Sequence, residues 1–290
     1  EDIYFGSGGI LEKAAEGSLF IEMTTSSPKL AREMHALAAV HDHGFVEAPL
    51  EGDPTVSTTS FEALRLFAAG EPDNLKLAAP VLEAISPNVV QAGLPGLGMA
   101  AKAVTQIALA GALLGVVEAV TFALLAGIDK ERIVGLLNDG LTASAVAGYY
   151  GQKTIDEEFY FGGDLHSFFC DLTVALDAAD ELDLALPGLE TAHQLYDLLV
   201  LVGGGEKGIH ALALIYYDEQ RCASHGLNWE LAQRAMDVYE RAGEGYYEDY
   251  DFDDDECDDP NCSHHHHHHG DDEDDDDGEA PSMGDLFSAN

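Results

Sequence analysis

The sequence predicts an α/β layer, then an all-α region opened by one long helix, then a disordered acidic tail. Three observations predict this. Short apolar runs alternate with helical patterns over the first ninety residues, as α/β layers require. A glycine-rich turn at Gly93-Leu94-Pro95-Gly96-Leu97-Gly98 leads into a long apolar helix, and no strand pattern follows it. From Gly243 to Asn290 there are 19 acidic residues and no Lys or Arg. The boundaries drawn from these shifts are residues 1–92, 93–242 and 243–290.

Within the first region, Leu19-Phe20-Ile21-Glu22 reads as a strand and Met23 to Ser27 as a polar loop. Pro28 to Val40 reads as a helix, with Ser27 as N-cap and Pro28 at its first position. Gly44 ends that pattern, and Phe45-Val46-Glu47 is a second strand. Leu64 to Ala68 and Val89 to Gln91 are two more, with a helix from Asn74 to Ile85 between them. The long helix runs from Met99 to Ala126 and stops at Gly127. Further helices are expected at Lys130–Asn138, Phe168–Leu182, Gly188–Val202 and Gly208–Ser224, and an amphipathic segment at Trp229–Arg241.

The chain carries 13 Lys+Arg against 54 Asp+Glu, a formal net charge of −41. Affinity for nucleic acid comes from neutralised phosphates, which this surface would repel. The same repulsion argues against docking on an anionic membrane. The excess is not confined to the tail, because residues 1–242 hold 35 acids against all 13 bases. At 46% hydrophobic the chain as a whole is not disordered. The uncharged run Ala103–Val117 would span about 22 Å as a helix, short of the roughly 30 Å of a bilayer core. It reads as a helix buried in a soluble protein. Four cysteines are too few for a disulfide scaffold and no secretory signal opens the chain, so a cytoplasmic setting is expected.

The tail cannot bury enough apolar area to offset its ordering entropy. Its six-histidine run, His264–His269, reads as an affinity tag or tag-like insertion. Cys257, Cys262 and His264 are conceivable metal ligands, but nothing around them would fix a geometry. Tyr246, Tyr247, Tyr250 and Phe252 lie among acids, as in acidic-aromatic interaction motifs, although a solubilising tail explains them as well. His35, His41 and His43 cluster at a helix end, where solvent exposure is the default. His41 and His43 are also a possible ligand pair. Cys170 reads as a small packed residue without a local base rather than as a reactive thiol.

The segment from Gly93 to Gln106 is the informative one. Its glycines let the backbone pass close to a ligand, and Lys102 follows one turn into the helix, at the seam between the two regions. A lysine on an otherwise apolar helix is costly to bury, and in a cleft it suits proton transfer or oxyanion stabilisation. The plain structural alternative is a lysine at the exposed start of the helix.

The chain resembles the β-hydroxyacid dehydrogenase family, which includes 3-hydroxyisobutyrate dehydrogenase, tartronate semialdehyde reductase and 6-phosphogluconate-dehydrogenase-like oxidoreductases. The matching pieces are Gly9-Ile10-Leu11, Ile21 to Pro28, Glu47-Ala48-Pro49-Leu50 and Gly93 to Gln106. Glu118-Ala119, Asp171-Leu172, Leu186 to Leu189 and Gly203-Gly204-Gly205 continue the series in family order. The resemblance implies a Rossmann layer, here partial, and a helical domain joined by a long interdomain helix, with the active site between them. It implies hydride transfer between NAD or NADP and a small 3-hydroxy acid or its semialdehyde. It makes Lys102 the proton donor and acceptor, places Thr25 beside the nicotinamide, and gives Gly52 and Gln106 to the substrate. It also agrees with the homodimer or higher homo-oligomer expected from the apolar surface of the helical region.

The departures from the family pattern are specific. No Gly-x-Gly-x-x-Gly turn occurs in the first region, residues 1–92. Glu51-Gly52-Asp53 replaces a Ser-Gly-Gly substrate loop and sets two carboxylates where a substrate carboxylate docks. Like charges about 4 Å apart cost about 4 kcal/mol at an effective dielectric near 20. Glu51 is therefore expected to pair with Lys102. Cys170-Asp171 replaces a Lys-Asp pair, and Gln106 stands where an Asn is usual. These departures motivate an alternative reading, a non-catalytic helical oligomerisation module derived from the same family.

Overall fold

Local capping chemistry fixes the first long helix. The computed structural model describes residues 2–5, 8–57, 59–160 and 164–235. Two short helices, α1 (Asp2–Phe5) and α2 (Ile10–Lys13), precede strand β1 (Leu19–Glu22). Helix α3 (Pro28–Val40) begins where Ser27 Oγ accepts the N–H of Leu30 at 3.0 Å, with Pro28 in its first turn. Both features sit at the expected residues.

Strand β2 (Gly44–Glu47) pairs parallel with β1, Leu19 opposite Gly44 and Glu22 opposite Glu47. After Ala48-Pro49 a further strand, β3 (Leu50–Gly52), continues the same line. Strand β4 (Leu64–Gly70) runs antiparallel to both, facing β2 at Val46–Gly70 and β3 at Leu50–Leu66, Glu51–Arg65 and Gly52–Leu64. The 51–53 segment expected as a loop is thus largely strand. Pro49 keeps its carbonyl in play by accepting Phe67 N–H at 3.0 Å. Helix α4 (Pro72–Ile85) returns the chain to β5 (Asn88–Gly93), which lies parallel to β4. Val46, Leu66, Ala68 and Leu82 form the core between this sheet and α4.

The long helix α5 (Leu97–Leu125) starts at Gly96, whose φ of 87° favours glycine. A Cβ on Gly98 would meet the Phe67 carbonyl oxygen at 2.4 Å, so glycine lets the helix start lie against the sheet. Helices α6 (Lys130–Leu137), α7 (Ala145–Asp156), α8 (Leu165–Asp180) and α9 (Pro187–Leu199) follow. A 3-10 stretch, Ile209–Tyr216, and α10 (Glu219–Ser224) come next, split at Tyr217-Asp218 where one helix was expected. Leu113, Val117, Leu165, Leu172, Tyr196, Leu199 and Leu212 build the helical core. Tyr196 Oη donates to the Ile209 carbonyl at 3.0 Å inside it.

Only one face of α5 is buried. Met99, Lys102, Gln106, Ala110, Leu113, Val117 and Val120 lie on it, while Phe122 and Leu125 on the other face are 72% and 79% exposed. The helix is long and apolar enough to cross a bilayer by length and composition alone. The expectation of a fully buried helix is corrected: an apolar side faces out.

The histidines also differ from expectation. His35 and His43 are buried, His43 with Nε2 at 3.2 Å from the Leu11 carbonyl and its ring edge-on to Phe20. No group of three or more metal-binding side chains occurs among the described residues. The expected disordered tail (243–290), its Cys257/Cys262/His264 cluster and its aromatic cluster lie outside the described residues.

Candidate active site

The helical periodicity of α5 carries Lys102 to the seam. Lys102 occupies the same buried face as Met99, Gln106 and Ala110, and only 6% of it is exposed. The helix start is anchored by Glu47, at the end of β2, which is fully buried and accepts the Gly98 N–H through Oε1 at 2.9 Å. Burial pushes the Glu47 carboxyl above its ordinary value, and the N–H groups of Gly98, Gly96 and Met99 together with Arg32 offset part of that rise. Gly98 is one turn before Lys102, so the anchor fixes where the lysine stands.

Lys102 Nζ donates to two acceptors, one from each side of the seam. Thr25 Oγ1, in the loop after β1, lies at 2.5 Å, and Asp171 Oδ2, on α8, lies at 2.8 Å. A buried ion pair is tolerated where its remaining polar atoms are hydrogen-bonded, and Thr25 provides that bond here. Lys102 and Asp171 line a cleft of about 1080 Å³, with Gly52, Gln106 and Tyr150 among its other walls. The structure thus brings Lys102, Gly52 and Gln106 to one cleft and sets Thr25 against the lysine.

Glu51 does not pair with Lys102. The antiparallel register puts it opposite Arg65, whose Nη2 and Nε reach Glu51 Oε2 at 2.5 and 3.2 Å. Glu51 Oε1 accepts from Gln106 Nε2 at 3.1 Å. The physical reason is register: Arg65 is its direct cross-strand neighbour. Asp53, the second carboxylate of this segment, turns Oδ1 onto Thr55 N at 2.9 Å. Cys170 is also corrected. It is exposed, and His166 one turn earlier places Nδ1 3.7 Å from its sulfur.

Sequence reasoning missed two contributors, Arg65 and Tyr150, and one partnership, that of Asp171 with Lys102. Arg65 gives no local signal, because only the antiparallel return of β4 sets it against Glu51. Asp171 is legible as a motif residue, but its partnership with Lys102 depends on α8 packing beside α5. Tyr150 lies on α7, a helix without an expectation of its own. Its ring is buried at the cleft, where burial and the nearby Tyr149, Asp53 and Glu51 hold its hydroxyl above the usual range.

Two family models match this chain in tandem. One, described as the NAD binding domain of 6-phosphogluconate dehydrogenase, covers residues 1–93. The other, described as NAD-binding of NADP-dependent 3-hydroxyisobutyrate dehydrogenase, covers residues 96–216. The probable 3-hydroxyisobutyrate dehydrogenase-like 1 of Arabidopsis thaliana is 32% identical over 71% of this chain and 61% of its own length. The uncharacterised oxidoreductase YkwC of Bacillus subtilis is 29% identical over 73% of each. The 2-hydroxy-3-oxopropionate reductase of Escherichia coli is 26% identical over 73% of this chain and 72% of its own length.

The fold is shared with solved structures. The 3-hydroxyisobutyrate dehydrogenase of Mycobacterium tuberculosis, solved with L-serine, superposes with a TM-score of 0.65 at 22% identity, covering 72% of this chain and 73% of that one. The 3-hydroxyisobutyrate dehydrogenase of Salmonella typhimurium gives 0.62 at 24% identity, covering 71% and 72%. Fold and tandem matches define the class, a nicotinamide-dependent oxidoreductase built from a Rossmann-type layer and a helical region. Within that class, the chain belongs to the β-hydroxyacid dehydrogenase family, whose cofactor is NAD or NADP.

The residues present fit the nicotinamide end of such a cofactor. Dinucleotides bind at the carboxyl ends of parallel strands, and the loop leaving β1 there holds both Thr25 and Ser26. Ser26 Oγ is buried with no hydrogen-bond partner among the described residues, a polar atom left for a ligand to satisfy. No Gly-x-Gly-x-x-Gly pyrophosphate cradle occurs in the sheet region, residues 1–93; the run of that spacing, Gly203 to Gly208, follows α9 in the helical region. The fit is to the reacting end of the cofactor.

Proposed function

We propose that this chain moves a hydride between nicotinamide and a small 3-hydroxy acid or its semialdehyde, with Lys102 exchanging the accompanying proton with the substrate oxygen. The observation that carries this reading is the buried Lys102 ammonium, facing a cleft between Thr25 and Asp171. Bound NAD or NADP would supply the hydride donor or acceptor beside Thr25. An ammonium has three N–H donors. Thr25 and Asp171 take two, which leaves the third for substrate.

In the reducing direction the carbonyl oxygen gains negative charge. The third Lys102 N–H binds that oxygen and delivers its proton. In the oxidising direction the neutral amine takes the hydroxyl proton back. Asp171 balances the ammonium where water is scarce, and Thr25 fixes the direction of the side chain. Gly52, which has open space around its Cα, lets the substrate approach the β3 backbone. A non-catalytic assembly module has no use for an ion pair buried against a cleft, so the Lys102–Asp171 pair supports the enzymatic reading.

The reading extends to a homodimer or higher homo-oligomer, supported by the exposed apolar residues Val104, Phe122 and Leu125 along α5. A cytoplasmic setting is supported by the free thiols of Cys170 and Cys222. The enzymatic reading is tested by mixing the protein with NADH or NADPH and short semialdehydes while following nicotinamide absorbance. Substrate-dependent oxidation of the cofactor is expected. Failure to bind either nucleotide, with no turnover across the panel, would overturn it.

A further inference from the structure

We infer that the space beyond Lys102 favours a cationic substrate group, the ammonium of a short amino alcohol or amino aldehyde, over the carboxylate of a 3-hydroxy acid or semialdehyde. The inference rests on the hydride-transfer reading above and concerns which substrate that site takes. Gln106 lies one turn after Lys102 on the same buried face of α5, so the two side chains reach adjacent parts of the cleft. A side-chain amide there could donate to a substrate carboxylate. Glu51 opposes it.

A carboxylate only accepts hydrogen bonds. The 3.1 Å contact to Glu51 Oε1 is therefore donated by one of the two Gln106 N–H groups, and an anion taken by the other would stand beside the Glu51 carboxylate. Gln106 is 4% exposed and lines the cleft, and its Oε1 has no partner among the described residues. Arg65 holds Glu51 in place through Oε2, leaving Oε1 on the Gln106 side. The position one turn from the reacting lysine thus offers two acceptor oxygens, Gln106 Oε1 and Glu51 Oε1, against one remaining N–H donor.

The charge around it has the same sign. Glu51, Asp53, Glu62, Asp164 and Asp171 line the cleft against only Arg65 and Lys102, an excess of three negative charges. Arg65 and Lys102 are each already engaged by a carboxylate. An anion entering this space meets acceptors and repulsion, whereas an ammonium finds acceptors it can satisfy.

The test compares 3-hydroxypropionate with 3-aminopropan-1-ol, which carry a carboxylate and an ammonium on a similar short chain ending in a hydroxyl. Binding to the protein is measured by calorimetry in the presence of NADH, so turnover is not needed. The amino alcohol is expected to bind at least about tenfold more tightly. Glu51→Gln and, separately, Gln106→Leu should each erase that preference, the second variant guarding against a folding defect in the first. Tighter binding of 3-hydroxypropionate, binding of neither probe, or an unchanged preference in two folded variants would overturn the inference. If the acid binds and semialdehydes are turned over, only the specificity falls. If nucleotide binding is also absent, the enzymatic reading falls with it.

Discussion

Lys102 and Asp171 meet at 2.8 Å across the seam, one on the helix that leaves the sheet and the other on a helix of the α-region. Both side chains are largely shielded from solvent. Removing one partner leaves an uncompensated buried charge, which costs about 3–5 kcal/mol. Asp171→Leu should destabilise the protein by about that much in urea unfolding. The double variant Asp171→Leu with Lys102→Met should recover most of it, because no charge is then left buried. Additive losses would show that the two side chains do not act as a pair.

Gly98 gives a steric prediction. Its added methyl would lie 2.4 Å from the Phe67 carbonyl oxygen, a backbone atom with little room to yield. Gly98→Ala should cost about 1–3 kcal/mol despite the better helix propensity of alanine. It should also reduce turnover by moving Lys102. Thermal unfolding and steady-state kinetics on the same preparation check both.

Glu47 predicts a pH dependence. Burial raises its folded-state pKa above the ordinary 4.5, so the folded chain holds this proton more firmly than the unfolded chain. The corresponding stability is fully present below about 4.5 and is lost as pH rises through the folded value. Glu47→Gln keeps an acceptor for the Gly98 N–H and removes the titration. Stability measured from acid to neutral pH should therefore show the variant gaining on the wild type as pH rises. A constant difference across the range would refute the assignment.

Glu157 predicts the opposite sign. It stands at φ 58° after α7, with Oε1 2.7 Å from Arg221 Nη2 and Oε2 3.0 Å from His225 Nε2. Although burial opposes it, the bonds from Arg221 and His225 lower its pKa. Its contribution is present above the ordinary carboxylate value and is lost as pH falls through the folded one. These groups are partly exposed, so solvent screening limits the effect to below about 1 kcal/mol. Glu157→Gln should cost that much at neutral pH and nothing in strong acid, as read by urea midpoints.

What could be read in the sequence divides along a physical line. Ser27 and Pro28 are legible because capping is settled within four residues. Lys102 and Gln106 are legible as core-facing because both fall on the helical period of Met99, Ala110 and Leu113. The pairing of Glu51 with Arg65 is not, since it depends on β4 returning antiparallel across a connection of irregular length. Helix α7 escaped notice because Gly148 and Gly151 dilute its pattern. Their small size is explained only by tertiary contacts with Asn138 and Leu137. His35 and His43 look like surface residues by type, and it is the aromatic rings of Phe20 and Phe45 that enclose them.

The central claim is that the Lys102 nitrogen handles the substrate proton. Single-turnover oxidation of bound NADH or NADPH, using a semialdehyde or amino aldehyde accepted by the wild type, tests it most directly in Lys102→Met. The account predicts a rate at least about a hundredfold lower, in the range general acid catalysis contributes, with nucleotide binding and helical content retained. A folded Lys102→Met protein that reduces the same substrate at the wild-type rate would contradict it.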